Sequence, residues 1–229
     1  ALLVASLAVE PFLYAALLVE MAVLVSIPML IDAEKQPRQG LLRYLIFQTL
    51  GMPFILLAGW VLGSVEVSPA REMLLQQAAL LLGLGFAFWL AVFPFHSWMP
   101  LLADEASPYL AGFLFSLLPT VVLFLALDFL NGFTWLRGSE PLYNVLQLTG
   151  VIMVVTGGFA AAFQQDLTRL FGYAVISESG FALLAMSTHS LEGMQVFATA
   201  FLPRLLTLGL LAFALTAFRN KGIPPRLST

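Results

Sequence analysis

FLYAALLVEMAVLVSIPML, residues 12–30, is an apolar run with one acid, Glu20, near its middle. It has the length a helix needs to cross the ~30 Å hydrocarbon core of a bilayer, at about 1.5 Å of rise per residue. A charged side chain at that depth costs at least about 2.5–3.5 kcal/mol. The pattern returns twice. YAVISESGFALL, residues 173–184, carries Glu178, and VFATAFLPRLLTLGLL, residues 196–211, carries Arg204. Lipid-length apolar runs with ionisable residues inside them define a membrane protein whose buried charges need partners or a function.

Composition agrees. Of 229 residues, 60% are hydrophobic and only 10% charged, with a mean hydropathy of +0.95. Soluble domains carry about 25% charged residues, so this chain cannot assemble a water-facing surface. An all-α polytopic transmembrane bundle is therefore expected, forming a single transmembrane domain over residues 1–229. Seven spans are read at about 11–31, 41–63, 73–98, 108–130, 142–163, 169–188 and 194–218. Residues 1–9 are too short to span and are expected to be the end of a helix of a longer protein. Polar connections fall at 32–40, 64–72, 131–141 and 164–166, and 219–229 forms a basic, proline-containing tail.

Several function classes are excluded at this level. No cysteine is present, which removes disulfides and thiolate metal sites. His96 and His189 are too far apart in sequence to read as a ligand pair, and no metal site is expected. A net charge of −3 without a basic patch speaks against nucleic-acid binding. The 20 phenylalanines read as lipid-facing and packing surface, not as a cofactor box.

The basic residues orient the chain. Lys35, Arg38, Arg43, Arg169, Arg219, Lys221 and Arg226 fall on one side of the span scheme, and Arg71 and Arg137 on the other. By the positive-inside rule the 32–40 loop and the C-terminal tail are expected on the cytoplasmic side. The membrane itself is expected to be a bacterial or archaeal cytoplasmic membrane or an organelle inner membrane.

Prolines sit inside several spans: Pro28, Pro53, Pro94, Pro119 and Pro203. Each removes a backbone donor and crowds the preceding turn. Either they kink packed helices or they mark discontinuous helices around an ion path. Pro94, Pro119 and Pro203 are the candidate helix breaks; Pro94 lies near His96, and Pro203 beside Arg204. Glu20, Glu178, His96 and Arg204 are the candidate proton-path residues. Burial favours the neutral form of a carboxyl and so suits it to proton exchange. Equally, Arg204 could be neutralised by Glu178 or Glu20 as a structural pair. His96 could titrate near neutrality or serve only to shape the break. Asp166 and Arg169 read as a surface ion pair or helix cap, and Asp104 and Glu105 as solvated or contacting a neighbouring subunit.

Three segments carry a family resemblance. FPFHSWMPLLADEASP, residues 93–108, resembles the P-[LF]-H-x-W-x-P signature, with its following acidic and small residues, of the antiporter-like membrane subunits of respiratory complex I (NADH-quinone oxidoreductase). Related multi-subunit cation/proton antiporters and membrane-bound hydrogenases share it. QDLTRLFGYAVISESG, residues 165–180, is similar to the family's [QT]-D-[LI]-K-R run and its continuation. Glu20 in LLVEMAVL resembles the family's helix glutamate. Order and spacing agree over nearly the whole chain.

The resemblance implies inverted five-helix repeats, each with an interrupted helix, so that this chain would hold one repeat and part of the second. It also implies a hydrophilic axis at the membrane midplane and a Glu–Lys–Lys relay. Here the sequence departs. Trp89, Thr120 and Thr168 stand at lysine positions, Glu178 at a histidine position, and Pro203 and Thr207 near a histidine and a lysine of the last span. Tryptophan and threonine cannot carry a proton charge, and arginine keeps its proton at nearly any accessible pH.

The expected function is therefore a membrane-arm subunit of a redox-driven, proton- or sodium-translocating complex. Its path would be rewired through Glu20, Glu178, His96 and Arg204. The alternatives are a degenerate, non-pumping structural subunit of such a complex or a component of a secondary cation/proton antiporter. No cofactor is expected in this chain, redox groups being left to partner subunits. Other membrane-arm subunits and lipid are the expected partners, with quinone elsewhere in the complex.

Overall fold

The computed structural model describes residues 1–9, 13–31, 39–64, 71–222 and 225–226. Among these the secondary structure is helical apart from one isolated antiparallel bridge between Asp166 and Arg226. A four-residue helix, α1 (Leu2–Ala5), precedes α2 (Leu13–Leu30), α3 (Gln39–Ser64) and α4 (Arg71–Trp89). A 3-10 turn (Phe95–Ser97) leads into the short α5 (Trp98–Glu105), then α6 (Pro108–Gly132) and the four-residue α7 (Thr134–Arg137). The bundle closes with α8 (Glu140–Ala162), α9 (Leu167–Ser187) and α10 (Leu191–Asn220). Among the described residues, α2, α3, α4, α6, α8, α9 and α10 are the seven helices long and apolar enough to cross a membrane.

The helix ends follow from local sequence. Ser107 caps α6, its Oγ accepting from Leu110 N at 3.4 Å, with Pro108 at the first helical position, where its missing N–H is no loss. Asp166 caps α9, accepting from Thr168 N at 2.9 Å, and Ser190 caps α10, accepting from Gly193 N at 3.1 Å. The Asn131–Pro141 connection contains α7. The 32–38 and 65–70 parts of the other expected loops lie outside the described residues.

The expected span 73–98 is not one helix: it stops at Trp89. Val92 N donates to Ala87 O at 3.0 Å and Ala91 N to Phe88 O at 3.4 Å, while Ala91 takes a left-handed φ of 56°. These are the bonds of a Schellman closure, with alanine in the place glycine normally takes. Pro94, three residues past Ala91, then prevents the helix from resuming directly. Its peptide bond with Phe93 is cis.

Pro119 and Pro203 behave differently, and the expectation of breaks there is corrected: α6 and α10 run through them. A single proline forfeits one intrahelical bond, which the remaining ladder of a long helix tolerates inside a membrane. Without the capping bonds seen after Trp89, nothing terminates the helix at either residue.

The core lies where α5 is wedged between α3 and α9, beneath α6, the most enclosed of the spans. Trp98, Met99 and Leu102 are buried there with Phe115 and Phe171. Close approach is possible because both flanking helices present glycine. A methyl at Gly40 would stand 2.6 Å from the Leu101 carbonyl carbon, and one at Gly172 2.5 Å from Pro100 Cα. The outer faces of α8 and α10 expose Leu148, Val155, Phe159, Leu210 and Phe213.

The acids of the DEASP run hold α5 at both edges: Glu105 is bonded to backbone inside the fold, which corrects its reading as solvated, whereas Asp104 keeps 30% of its side chain exposed in a surface ion pair. Glu105 accepts from Gly40 N at 2.9 Å and Leu41 N at 3.1 Å, satisfying donors that the first turn of α3 leaves open. Its negative charge also meets the positive end of the α3 dipole. Asp104 Oδ2 accepts from Arg169 Nη2 at 2.9 Å and Nε at 3.1 Å, tying α5 to α9. Asp166 is thus a cap, while the ion partner of Arg169 is Asp104.

Candidate functional site

Glu178 and Arg204 face each other from α9 and α10, with Arg204 Nε 3.6 Å from Glu178 Oε2. That spacing is an ionic contact and too long for a good hydrogen bond. Arg204 is buried, and its Nη2 donates instead to Ser179 Oγ at 3.0 Å; Ser179 Oγ in turn donates to Val175 O at 2.9 Å. Neither Arg204 Nε nor Glu178 Oε2 has a hydrogen-bond partner among the described residues. The sequence left Arg204 to pair with Glu178 or Glu20, and the structure pairs it with Glu178.

A cavity of about 590 Å³ opens beside this pair, between α6, α9 and α10. Thr120 lines it from α6, its buried Oγ1 without a partner among the described residues, and Pro203, Arg204 and Thr207 line it from α10. The structure therefore gathers the substituted positions of three helices, Thr120, Glu178 and the Pro203–Thr207 turn, around one space. The rest of the wall is mainly apolar and rich in phenylalanine, with Thr188 as a further hydroxyl. Among the described residues no group of three His, Asp or Glu side chains gathers to hold a metal ion.

Glu20 belongs to a separate place. It is buried on α2, and its Oε1 accepts from Thr49 Oγ1 of α3 at 2.9 Å, leaving Oε2 without a partner among the described residues. A turn further along, Ser26 Oγ lies 2.9 Å from Tyr44 Oη across the same pair of helices. No arginine or lysine pairs with Glu20 among the described residues.

Next to it on α3, Gln48 is completely buried and clasps Trp89. Trp89 Nε1 donates to Gln48 O at 2.9 Å, and Gln48 Nε2 donates to Trp89 O at 3.3 Å. Gly51, one turn on, makes room for the indole, since any Cβ there would overlap it. The side chain at the expected lysine position is thus a fixed aromatic plug.

His96 stands in the 3-10 turn after the break, its ring stacked on Phe93 at 5.6 Å and its Nδ1 enclosed without a partner among the described residues. It joins neither cluster. Pro94 lies beside it at the break itself.

Sequence reading missed Gln48, Thr49 and Ser179 as partners of the candidate residues. The signal for the first two was present, because Gln48 and Thr49 are adjacent polar residues inside the apolar run LIFQTLGMPF. Polar side chains within a membrane helix point to its packed face.

An interrupted helix braced by neighbouring helices, a buried carboxylate on α2 and a half-buried one on α9 agree with a membrane protein of the antiporter-like class. Residues 64–223 match the NADH:quinone oxidoreductase/Mrp antiporter transmembrane family, and the chain belongs to that family. Subunit N of NADH-quinone oxidoreductase from Bdellovibrio bacteriovorus is 27% identical over 206 residues, covering 82% of this chain and 42% of that subunit. The subunit N of a Sulfurovum species is 33% identical over 116 residues, 51% of this chain and 23% of the relative.

Among solved structures, the Mrp complex of a Dietzia species contains a chain that superposes with a TM-score of 0.77 at 20% identity, covering 93% of this chain and 24% of that one. A chain of the membrane-bound sulfane sulfur reductase, an archaeal respiratory membrane complex, gives 0.75 at 18% identity, covering 89% and 44%. These two likenesses show the fold. The chain spans less than half the length of each of these relatives.

Proposed function

We propose that this chain forms part of a membrane-arm subunit in a complex I-like, redox-driven complex that translocates protons or sodium ions. The observation that carries the reading is the Glu178–Arg204 pair. It sits inside the bundle at the mouth of a cavity, in a chain whose relatives are named as subunits of NADH-quinone oxidoreductase. Glu178 supplies a carboxyl group beside the cavity, and Arg204 stands next to it as a cation that keeps its proton. Glu20, buried and hydrogen-bonded to Thr49, is the second carboxylate of the proposed path. Redox groups belong to partner subunits, and the partners of this chain are other membrane subunits. The C-terminal tail faces the cytoplasm, in keeping with the distribution of basic residues.

A second reading is favoured by the Trp89–Gln48 clasp. A buried indole fixed at the expected lysine position carries no proton, so a structural subunit without its own conduction would keep the interrupted helix and lose the relay. Affinity purification of the full-length protein from its native membrane tests the shared part of both readings. Co-purification with redox-active peripheral subunits is expected. Isolation as a free-standing protein would contradict both and favour a secondary antiporter.

A further inference from the structure

We propose that Pro225 and Arg226 form a strap that, through the first turn of α9, holds the last turn of α5, the half-helix that follows the interruption. The inference stands on hydrogen bonds at one end of the bundle and not on ion transfer, so either can fail alone.

The strap begins where α10 ends. A short turn at residues 188–190 joins α9 to α10, so the end of α10 returns to the start of α9. Lys221 N donates to Ala217 O and Phe218 O, each at 3.2 Å, and Gly222 N to Arg219 O at 3.1 Å, while Gly222 takes a left-handed φ of 66°. Glycine has no Cβ to oppose that conformation, which ends the helix and turns the chain. Beyond it, Pro225 O accepts from Leu167 N at 2.8 Å, and Arg226 pairs with Asp166 in the isolated antiparallel bridge. Leu167 N–H is one of the donors that the first turn of α9 leaves open. The Asp166 side chain takes the next one, Thr168 N–H, at 2.9 Å, so cap and strap divide the donors between them.

The same turn grips α5. Arg169 donates twice to Asp104 Oδ2, and Thr168 Oγ1 lies 3.4 Å from Asp104 Oδ1. α5 has eight residues and is about 12 Å long. It follows a 3-10 turn, and Ala106 and Ser107 beyond it are extended, with ψ of 166° and 137°. A helix this short depends on tertiary contacts. Packing holds its buried Trp98, Met99 and Leu102. Its final residues are held by carboxylates, Glu105 to α3 and Asp104 to α9. A contact that draws residues 225 and 226 away from α9 therefore loosens the Asp104 end of α5.

The test is residue-level hydrogen exchange on the full-length protein in nanodiscs. Leu167→Pro deletes the donor to the strap and spares the helix. Proline is favoured at the first helical position, and Asp166, at φ −92° and ψ 118°, already has the extended backbone that precedes proline. Leu167→Ala keeps the donor and accounts for the lost side chain. Exchange over residues 102–106 is expected to be several-fold faster in Leu167→Pro than in Leu167→Ala, with residues 15–23 of α2 unchanged. Coupling is mutual, so Asp104→Ala, a change at a partly exposed side chain, should speed exchange of the Leu167 amide several-fold. Equal exchange over residues 102–106 in the two Leu167 variants, or an unchanged Leu167 amide in Asp104→Ala, would overturn the proposal. If Leu167→Pro loosens α2 as well, Asp104→Ala decides alone in the same sense.

Discussion

Trp89 and Gln48 each donate a side-chain hydrogen bond to the other's backbone carbonyl, at 2.9 and 3.3 Å, across the α3–α4 interface. Both side chains are buried, and Gly51 leaves the room the indole occupies. At a position where the family resemblance leads one to expect a mobile cation, this protein has a neutral side chain locked on two sides. Whatever passes between Glu20 and the α9–α10 pair does not pass by protonation of residue 89.

Gly51→Ala is therefore expected to expel or tilt the indole. Overpacking of this kind costs about 1–3 kcal/mol. A lowered Tm, with a red-shifted tryptophan emission, is the predicted outcome in detergent. Combining it with Trp89→Phe should recover part of the loss, because the two residues share one space. Strictly additive losses would mean that the close approach is not real.

Glu105 is expected to act locally. Glu105→Ala removes two charge-assisted hydrogen bonds from the start of α3, for a loss of about 2 kcal/mol or more. Hydrogen exchange at Gly40 and Leu41 should accelerate, while Glu105→Gln retains one acceptor and part of the protection. Unchanged exchange in Glu105→Ala would remove the capping role.

The Glu178–Arg204 pair should give an asymmetric cycle. Glu178→Leu strands the more deeply buried charge, and breaking a buried pair costs about 3–5 kcal/mol, with the lower end apt here because a third of Glu178 is exposed. Arg204→Leu leaves a carboxylate that can neutralise itself by taking a proton and should cost less. The double variant should be more stable than Glu178→Leu alone in thermal unfolding. Equal, additive losses would show that the two side chains do not interact.

Much of the bundle could be read from the sequence, for a physical reason. Lipid-length apolar runs demand helices, because every backbone polar group must be satisfied within the span. Thus the expected spans at 11–31, 108–130 and 169–188 correspond to α2, α6 and α9. The exception was 73–98. Hydropathy continues through Leu90–Phe93, and the stop is made by backbone bonds to Ala87 and Phe88 around a left-handed Ala91, a conformation alanine does not advertise. Prolines misled in the opposite sense: Pro119 and Pro203 mark no break, since a proline without a cap only perturbs a long helix.

The site was legible as residue types and not as pairs. Glu20, Glu178 and Arg204 declared themselves by the cost of placing charge in lipid. Which acid Arg204 meets depends on how α9 and α10 cross, and no span-by-span pattern contains that. Glu105 looked solvated because it follows a span, whereas α5 is a half-length helix packed between α3 and α9 and Glu105 bonds to the start of α3; Asp104 beside it does stay partly exposed.

Glu20 and Glu178 are the carboxylates assigned to a working ion path. The direct measurement is redox-driven proton uptake by the intact complex in liposomes, comparing wild type with Glu178→Gln and Glu20→Gln, assembly being checked on native gels. Glutamine keeps size and hydrogen bonding and removes the exchangeable charge. Normal assembly with a reduced proton-to-electron ratio is the predicted result. Normal assembly with an unchanged ratio in both variants would contradict that assignment and leave the chain as scaffold.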